Sequence, residues 1–348
     1  DTQISRLGGP NFHEIPINAP VAQVHNNQRD GMHRQAIARG SVAYEPNSLG
    51  GGCPFQAGAA QGFASVKARL DAKDSSDKVR IKPEKFADHY TQARLFYESQ
   101  TAVEQAHIAA AFRFELSKVT VPAVRQRMVA SLRNASEQLA KKVADGLGME
   151  LPEALPVALA KPPKPEVRHS PALSLTARPG EGGIRTRQVA VLIADGADGA
   201  GIAAVVGTLK EQGAVPRLVG PRLGAFSAAG GQQLNADATL ENNPGVLFDA
   251  LVLPDGAAAV EALAGDGHTM EFVKDQYRHC KTILALGASH SLLTLAGIPD
   301  TLPDGKPDPG VITTDAGAAA ATAGAVSTFI EALALHRHYA RDTDPPLI

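Results

Sequence analysis

Tryptophan is absent from this chain of 348 residues, and aromatics make up only 5% of it. Cysteine is almost as scarce. Cys53 and Cys280 stand far apart, with no CxxC pair and no Cys/His spacing of the kind that holds zinc. Two thiols in a chain this long point to a reducing compartment, and the cytoplasm is the expected location. No apolar run approaches the ~18 residues that a membrane span needs, and no signal peptide is visible. Charge of one sign is lacking as well. A formal net charge of -2 argues against nucleic acid or an anionic membrane as the main partner. The basic spots at Arg125, Arg127, Arg133, Lys141 and Lys142 sit at helical spacings and read as a solvated helix face.

What remains is a globular composition long enough for roughly two or three domains. Residues 1–62 show little hydrophobic periodicity and many turn formers, such as Gly8-Gly9-Pro10 and Gly50-Gly51-Gly52. Such a stretch is expected to lie along another domain or a partner subunit. Residues 63–149 change character. Thr101 and Glu104 fit a capping box, and behind them Ile108, Phe112 and Leu116 recur at four-residue spacing. Pro122 suits the first turn of a second helix, along which Met128, Leu132, Leu139 and Val143 form a stripe before Gly146 and Gly148 stop it.

A proline-rich stretch, 150–187, reads as a semi-rigid linker, because proline stiffens the chain and cannot donate to a ladder. From 188 to 341 strand and helix patterns alternate. The runs Gln188–Ala194, Val215–Val219, Phe248–Pro254 and Thr282–Leu286 read as strands. Helices are expected through Ile202 to Leu209, around Glu271 to His279, and near Ala323 to Tyr339. Alternation of this kind specifies a parallel, doubly wound sheet.

Several blocks carry a family resemblance. Asp1-Thr-Gln-Ile-Ser-Arg-Leu-Gly-Gly-Pro-Asn-Phe12 and Ile15-Pro-Ile-Asn18 resemble the stretch that follows the haem-ligating tyrosine of monofunctional haem catalases. Gln28-Arg-Asp-Gly31 and Tyr44-Glu-Pro-Asn-Ser48 are similar to blocks farther downstream in that family. Arg94-Leu-Phe96, Glu104-Gln105 and Phe112-Arg-Phe-Glu-Leu-Ser-Lys118 are similar to its helical domain. The order of catalase blocks, linker and appended α/β domain resembles the large-subunit branch. The resemblance implies a multidomain α+β chain with an extended wrapping arm, an α-helical domain, and a flavodoxin-like domain related to class I glutamine amidotransferases. It further implies haem as cofactor, hydrogen peroxide as substrate, a homotetramer laced by the arm, and a role in oxidative-stress defence. By the same resemblance, the iron-ligating tyrosine and the distal His and Asn belong upstream of Asp1. The chain alone is then expected to be inactive, a structural and oligomerisation portion, with Thr2, Gln3 and Arg6 on the proximal haem side. The alternative from another class is a non-catalytic, chaperone-like or assembly module.

Other constellations weigh less. Gly287-Ala-Ser-His-Ser291 approximates a nucleophile elbow with Ser289 in the nucleophile place, for which His268 or His336 would have to serve as base. The resemblance to amidotransferases puts their cysteine position near Gly287. Gly196, Gly199 and Gly201 follow the first strand, where a nucleotide-binding fold cradles phosphate, but their spacing is GxxGxG. His336 and His338 are two apart on an expected helix, a poor geometry for metal. Cys280 reads as a helix-end thiol.

Overall fold

A computed structural model describes residues 12–22, 35, 84–159, 161, 164–177, 182–315 and 319–348. The chain divides into two units, Asp1–Ile81 and Lys82–Ile348. In the first, the described residues form two 3-10 turns, Phe12–Glu14 and Pro16–Asn18. The second unit carries everything that follows.

Four helices open it: α1 (Thr91–Glu98), α2 (Ala102–Ser117), α3 (Pro122–Ala135) and α4 (Glu137–Gly146). The capping box is present. Thr101 Oγ1 accepts from Glu104 N, and Glu104 Oε2 accepts from Thr101 N at 2.8 Å. The expected second helix is in fact two. Ser136 takes an extended conformation (φ -156°, ψ 120°), and its hydroxyl accepts from Leu139 N to start a new helix. Within α3 the buried face runs through Val129 and Leu132, three residues apart, so Met128 is exposed rather than part of the stripe. Leu132, Leu139 and Val143 are buried as expected. Gly148, at φ 63°, closes α4 by a Schellman motif: Met149 N donates to Ala144 O and Gly148 N to Asp145 O, both at 3.1 Å.

The proline-rich stretch is strapped to these helices rather than spanning free space. Arg133 Nη1 donates to Pro152 O at 2.6 Å and Asn134 Nδ2 to Leu155 O at 2.9 Å. Farther on, Ser170 N donates to Ser99 Oγ at 2.9 Å. Proline removes donors but leaves carbonyls free to accept, and the residues between the prolines donate.

The α/β part is built from β1 (Gln188–Leu192), α5 (Gly199–Glu211), β2 (Val215–Gly220), β3 (Gly224–Ser227), β4 (Gln233–Ala236) and β5 (Ala238–Thr239). It continues with β6 (Ala250–Leu253), α6 (Ala257–Ala264), α7 (Gly267–Arg278), β7 (Thr282–Ala285), α8 (His290–Leu295), β8 (Val311–Thr313) and α9 (Ala319–Ala334). The six-stranded sheet runs β5-β2-β1-β6-β7-β8, with every pairing parallel. Strands β3 and β4 form a separate antiparallel hairpin. Helices α5 and α9 pack together on one face, while α6, α7 and α8 form a layer on the other. Coverage on both faces explains the uninterrupted apolar runs: Val189 to Ile193, Leu251 to Leu253 and Ile283 to Ala285 are wholly buried. The last helix stops at Ala334, before either histidine, because His336 takes φ 69°. His336 and His338 are therefore not helical neighbours, contrary to expectation.

Candidate functional site

In an open parallel sheet, ligands bind where the strand order reverses, beyond the carboxyl ends of the strands. Here the reversal falls between β1 and β6, and the residues beyond them are Asp195-Gly196 and Asp255-Gly256. Backbone fills this crevice. Asp198 N donates to Asp255 O at 2.9 Å, joining the two loops directly. Gly256 sits at φ 118°, and a Cβ on it would strike the Gly196 carbonyl, so the approach tolerates no side chain.

The glycines after β1 do not cradle phosphate. A Cβ at Gly199 would lie 2.6 Å from Gln232 Oε1, so that side chain already covers the start of α5. The helix is capped by Asp198, whose carboxylate accepts from Ala200 N at 3.1 Å. An acidic cap under a glutamine lid opposes a bound phosphate.

The turn after β7 is closed by a different device. Gly287 adopts φ 54°, and any Cβ there would collide with the Asp255 carboxylate. Asp255 Oδ1 accepts from Ala288 N at 2.9 Å and from its neighbour Gly256 N at 2.7 Å. A carboxylate thus stands where a nucleophile's side chain would project, and it takes a backbone N–H that an oxyanion would need. Ser289 is wholly buried, and its hydroxyl donates to Leu286 O at 2.8 Å, with Leu253 O at 3.3 Å as a second acceptor. His290 points to solvent, His268 lies 3.5 Å from Glu271, and His336 lies 3.6 Å from Asp249. No base faces Ser289 among the described residues, so the hydrolase alternative is set aside. Sequence reasoning missed Asp255. Its only signal was the Pro254-Asp-Gly turn ending a strand, which does not say where the carboxylate turns.

Cys280 does follow α7, as expected of a helix-end thiol, but in a left-handed conformation (φ 58°) and buried. Burial pushes its pKa up to about 11, so it stays protonated and a poor nucleophile. Cys53 lies outside the described residues.

The described residues of the α/β part assemble no catalytic constellation, and relatives decide the family. Residues 1–51 match the family model "Catalase", 83–147 match "Catalase-related immune-responsive", and 185–343 match "C-terminal domain found in long catalases". Catalase HPII of Pseudomonas putida is 40% identical over 98% of this chain and 45% of its own length. Catalase HPII of Mycobacterium avium is 40% identical over 99% and 48%, and Catalase C of Rhizobium meliloti 41% over 92% and 44%. The chain belongs to the long catalases. It spans a little under half the length of these curated relatives, and matches the C-terminal portion of a large catalase.

Catalase chemistry requires an iron held by a tyrosinate. The described tyrosines do not fit that role. Tyr97 and Tyr277, on α1 and α7, lie outside the stretch that resembles the family's iron-ligand region; their hydroxyls are buried without a hydrogen-bond partner, and burial raises the pKa of both. Burial raises Tyr339 too, and Tyr90 Oη lies 3.5 Å from Ser131 Oγ. Thr2, Gln3, Arg6 and Tyr44, which the family resemblance or the residue type singles out, lie outside the described residues. Among the described residues there is also no group of His, Cys, Asp and Glu that could hold a metal ion. No described helix is long and apolar enough to cross a membrane.

Proposed function

We propose that this chain serves as the C-terminal portion of a haem catalase that decomposes hydrogen peroxide to water and oxygen. The observation that carries the reading is the succession of catalase, catalase-related and long-catalase matches along one chain, each found in its expected order. Haem, on this reading, is held by groups outside the described residues, with Thr2, Gln3 and Arg6 beside its proximal face. The arm 1–62, the helical domain 63–149, the strap 150–187 and the α/β domain 188–341 form the scaffold of a homotetramer in a reducing cytoplasm.

A scaffold role for the α/β domain is supported by its sealed crevice and by its attachment. Its C-terminal segment reaches helix α2, where His107 bonds to Asp342 at 2.7 Å and Arg113 to Asp344. We also infer that the domain is flavodoxin-like. Leaving aside the edge strand β5 and the hairpin, β2-β1-β6-β7-β8 reproduces the 2-1-3-4-5 order of that fold.

Oxygen evolution from hydrogen peroxide tests the proposal. A catalase polypeptide carrying this sequence should show a Soret band and turn peroxide over, whereas the 348-residue chain alone should do neither. Haem binding and turnover by the chain alone would overturn the division of labour. A haem-loaded polypeptide without turnover would overturn the function itself.

A further inference from the structure

Apart from the sealed crevice, the α/β part has a cavity of about 350 Å³ between the α7–β7 turn, the segment after α9 and helix α2. Three cations line it, Arg278 and Lys281 at the turn and Arg337 after α9; His279 lines it too, and Asp342 is the one carboxylate among the described residues that line it. That carboxylate is engaged by His107 at 2.7 Å. Asp249, the next acid near Arg337, is shared by Arg187 at 3.8 Å and His336 at 3.6 Å.

Arg337 is thus half-buried without a carboxylate in ion-pair range among the described residues. The hydrogen bond it makes runs from Nη1 to the carbonyl of its own neighbour, His336, at 3.1 Å. Lys281 is 3% exposed, and its amine donates to Gly245 O at 3.0 Å and Val246 O at 3.2 Å, which leaves one of three protons unused. Arg278 Nε donates to the Ile348 oxygen at 2.7 Å, leaving its remaining N–H groups. The charges also oppose one another. Burial and the nearby Arg337 push Lys281 down to about 8, and burial followed by Lys281 lowers His279. A buried and a half-buried cation that repel each other are stabilised when an anion enters between them.

We propose that this cavity is a binding site for a small doubly charged oxyanion of the phosphate or phosphate-ester class, held chiefly by Arg337 and Lys281. A planar guanidinium with free N–H groups matches two phosphate oxygens at once, and the lysine supplies a point charge beside it. The volume admits a phosphate with a modest organic substituent. None of the residues that line it belongs to the stretch that the resemblance places beside haem, so the proposal concerns binding other than that of haem or peroxide.

The probe is inorganic phosphate, titrated calorimetrically into the whole protein at fixed ionic strength, because screening would otherwise weaken any such contact. Unaltered protein should bind one phosphate per chain saturably. Arg337→Gln should weaken binding about 10- to 100-fold, the loss of one or two charge-assisted hydrogen bonds, and Arg337→Lys should restore part of it. Arg217→Gln, an exposed arginine on β2, should leave binding unchanged. If Arg337→Gln melts early, Arg278→Gln replaces it with the same expected direction. Absence of saturable binding, or equal affinity in the Arg337 and Arg217 variants, would overturn the proposal. Sulfate binding as phosphate does, with acetate inert, would confirm the doubly charged class; equal binding of acetate would refute it.

Discussion

At the level of single residues, Glu104 joins more of the chain than its place in a capping box suggests. Besides Thr101 N, its carboxylate accepts from Ser174 Oγ at 2.7 Å, Leu175 N at 2.9 Å and Thr176 N at 3.2 Å. One side chain therefore starts helix α2 and anchors the end of the strap some seventy residues later. Burial alone would raise its pKa, but the bonds from Thr101, Ser174 and Thr176 outweigh it and hold the group at about 2, against 4.5 unperturbed. A depressed carboxylate stabilises the fold fully above the unfolded value. Its contribution fades as pH falls from about 4.5 toward about 2. Glu104→Gln should cost about 1.5–3 kcal/mol at neutral pH, the range for hydrogen bonds to a charged group. It should also flatten the acid limb of stability between those pH values. Urea melts at pH 7 and pH 3 would check this, and an equal loss at both would sink the charge argument. The local half of the motif was legible, because Thr-x-x-Glu spacing is a property of one helix turn. The distant half was not, since nothing in the sequence ties residue 104 to residues 174–176.

Among the elements, legibility followed apolar continuity. The strands β1, β6 and β7 could be read because burial on both faces leaves an unbroken hydrophobic run, and the helices α5 and α7 by their helical apolar spacing. The hairpin β3–β4 and strand β8 went unread: they are short, and their exposed or part-exposed positions break any apolar run. The break at Ser136 was readable in principle as an N-cap, but the stripe on either side of it masked the change of phase. The first residues after α9, to Tyr339, were read as more helix, and the segment just beyond them holds the most buried ion pair described. Arg341 Nε lies 2.5 Å from Asp308 Oδ2 and Nη2 lies 3.0 Å from Oδ1, while Nη1 donates to Lys281 O at 2.5 Å. Asp308 also accepts from Gly310 N at 2.8 Å, beside the start of β8. The pair thus fastens the C-terminal segment to the sheet edge. With side chains only 1% and 3% exposed, removing one partner leaves the other charge buried and alone. Arg341→Ala should destabilise the α/β domain by about 3–5 kcal/mol. Hydrogen exchange should show β8 losing protection before β1. A loss under about 1 kcal/mol, the range of an exposed pair, would show that solvent reaches the site.

Over the whole chain, the two kinds of attachment between helical and α/β parts differ in strength, and this decides what removing a part should do. The contacts of α2 with the C-terminal segment are partly exposed: His107 and Asp342 are 51% and 34% open, and Arg113 and Asp344 28% and 66%. Pairs of that exposure contribute at most about 1 kcal/mol each. The strap, by contrast, is held by backbone and carboxylate bonds at both ends of the helical part, through Arg133, Asn134, Ser99 and Glu104. The helical part should therefore keep its strap when the α/β domain is removed beyond it. The α/β domain holds no catalytic group among its described residues: Asp255 closes its crevice and Ser289 is buried. Deleting residues 188–348 from a catalase carrying this sequence, with the strap left in place, should preserve peroxide turnover per haem. The assembly should lose subunits faster on heating, because the shortened chain gives up the surface this domain contributes. Turnover per haem in the intact assembly, and the half-life of the assembly during thermal challenge, separate the two effects. Loss of turnover while the assembly persists would give the α/β domain a part in the chemistry, whereas an unchanged half-life would deny it a scaffold role.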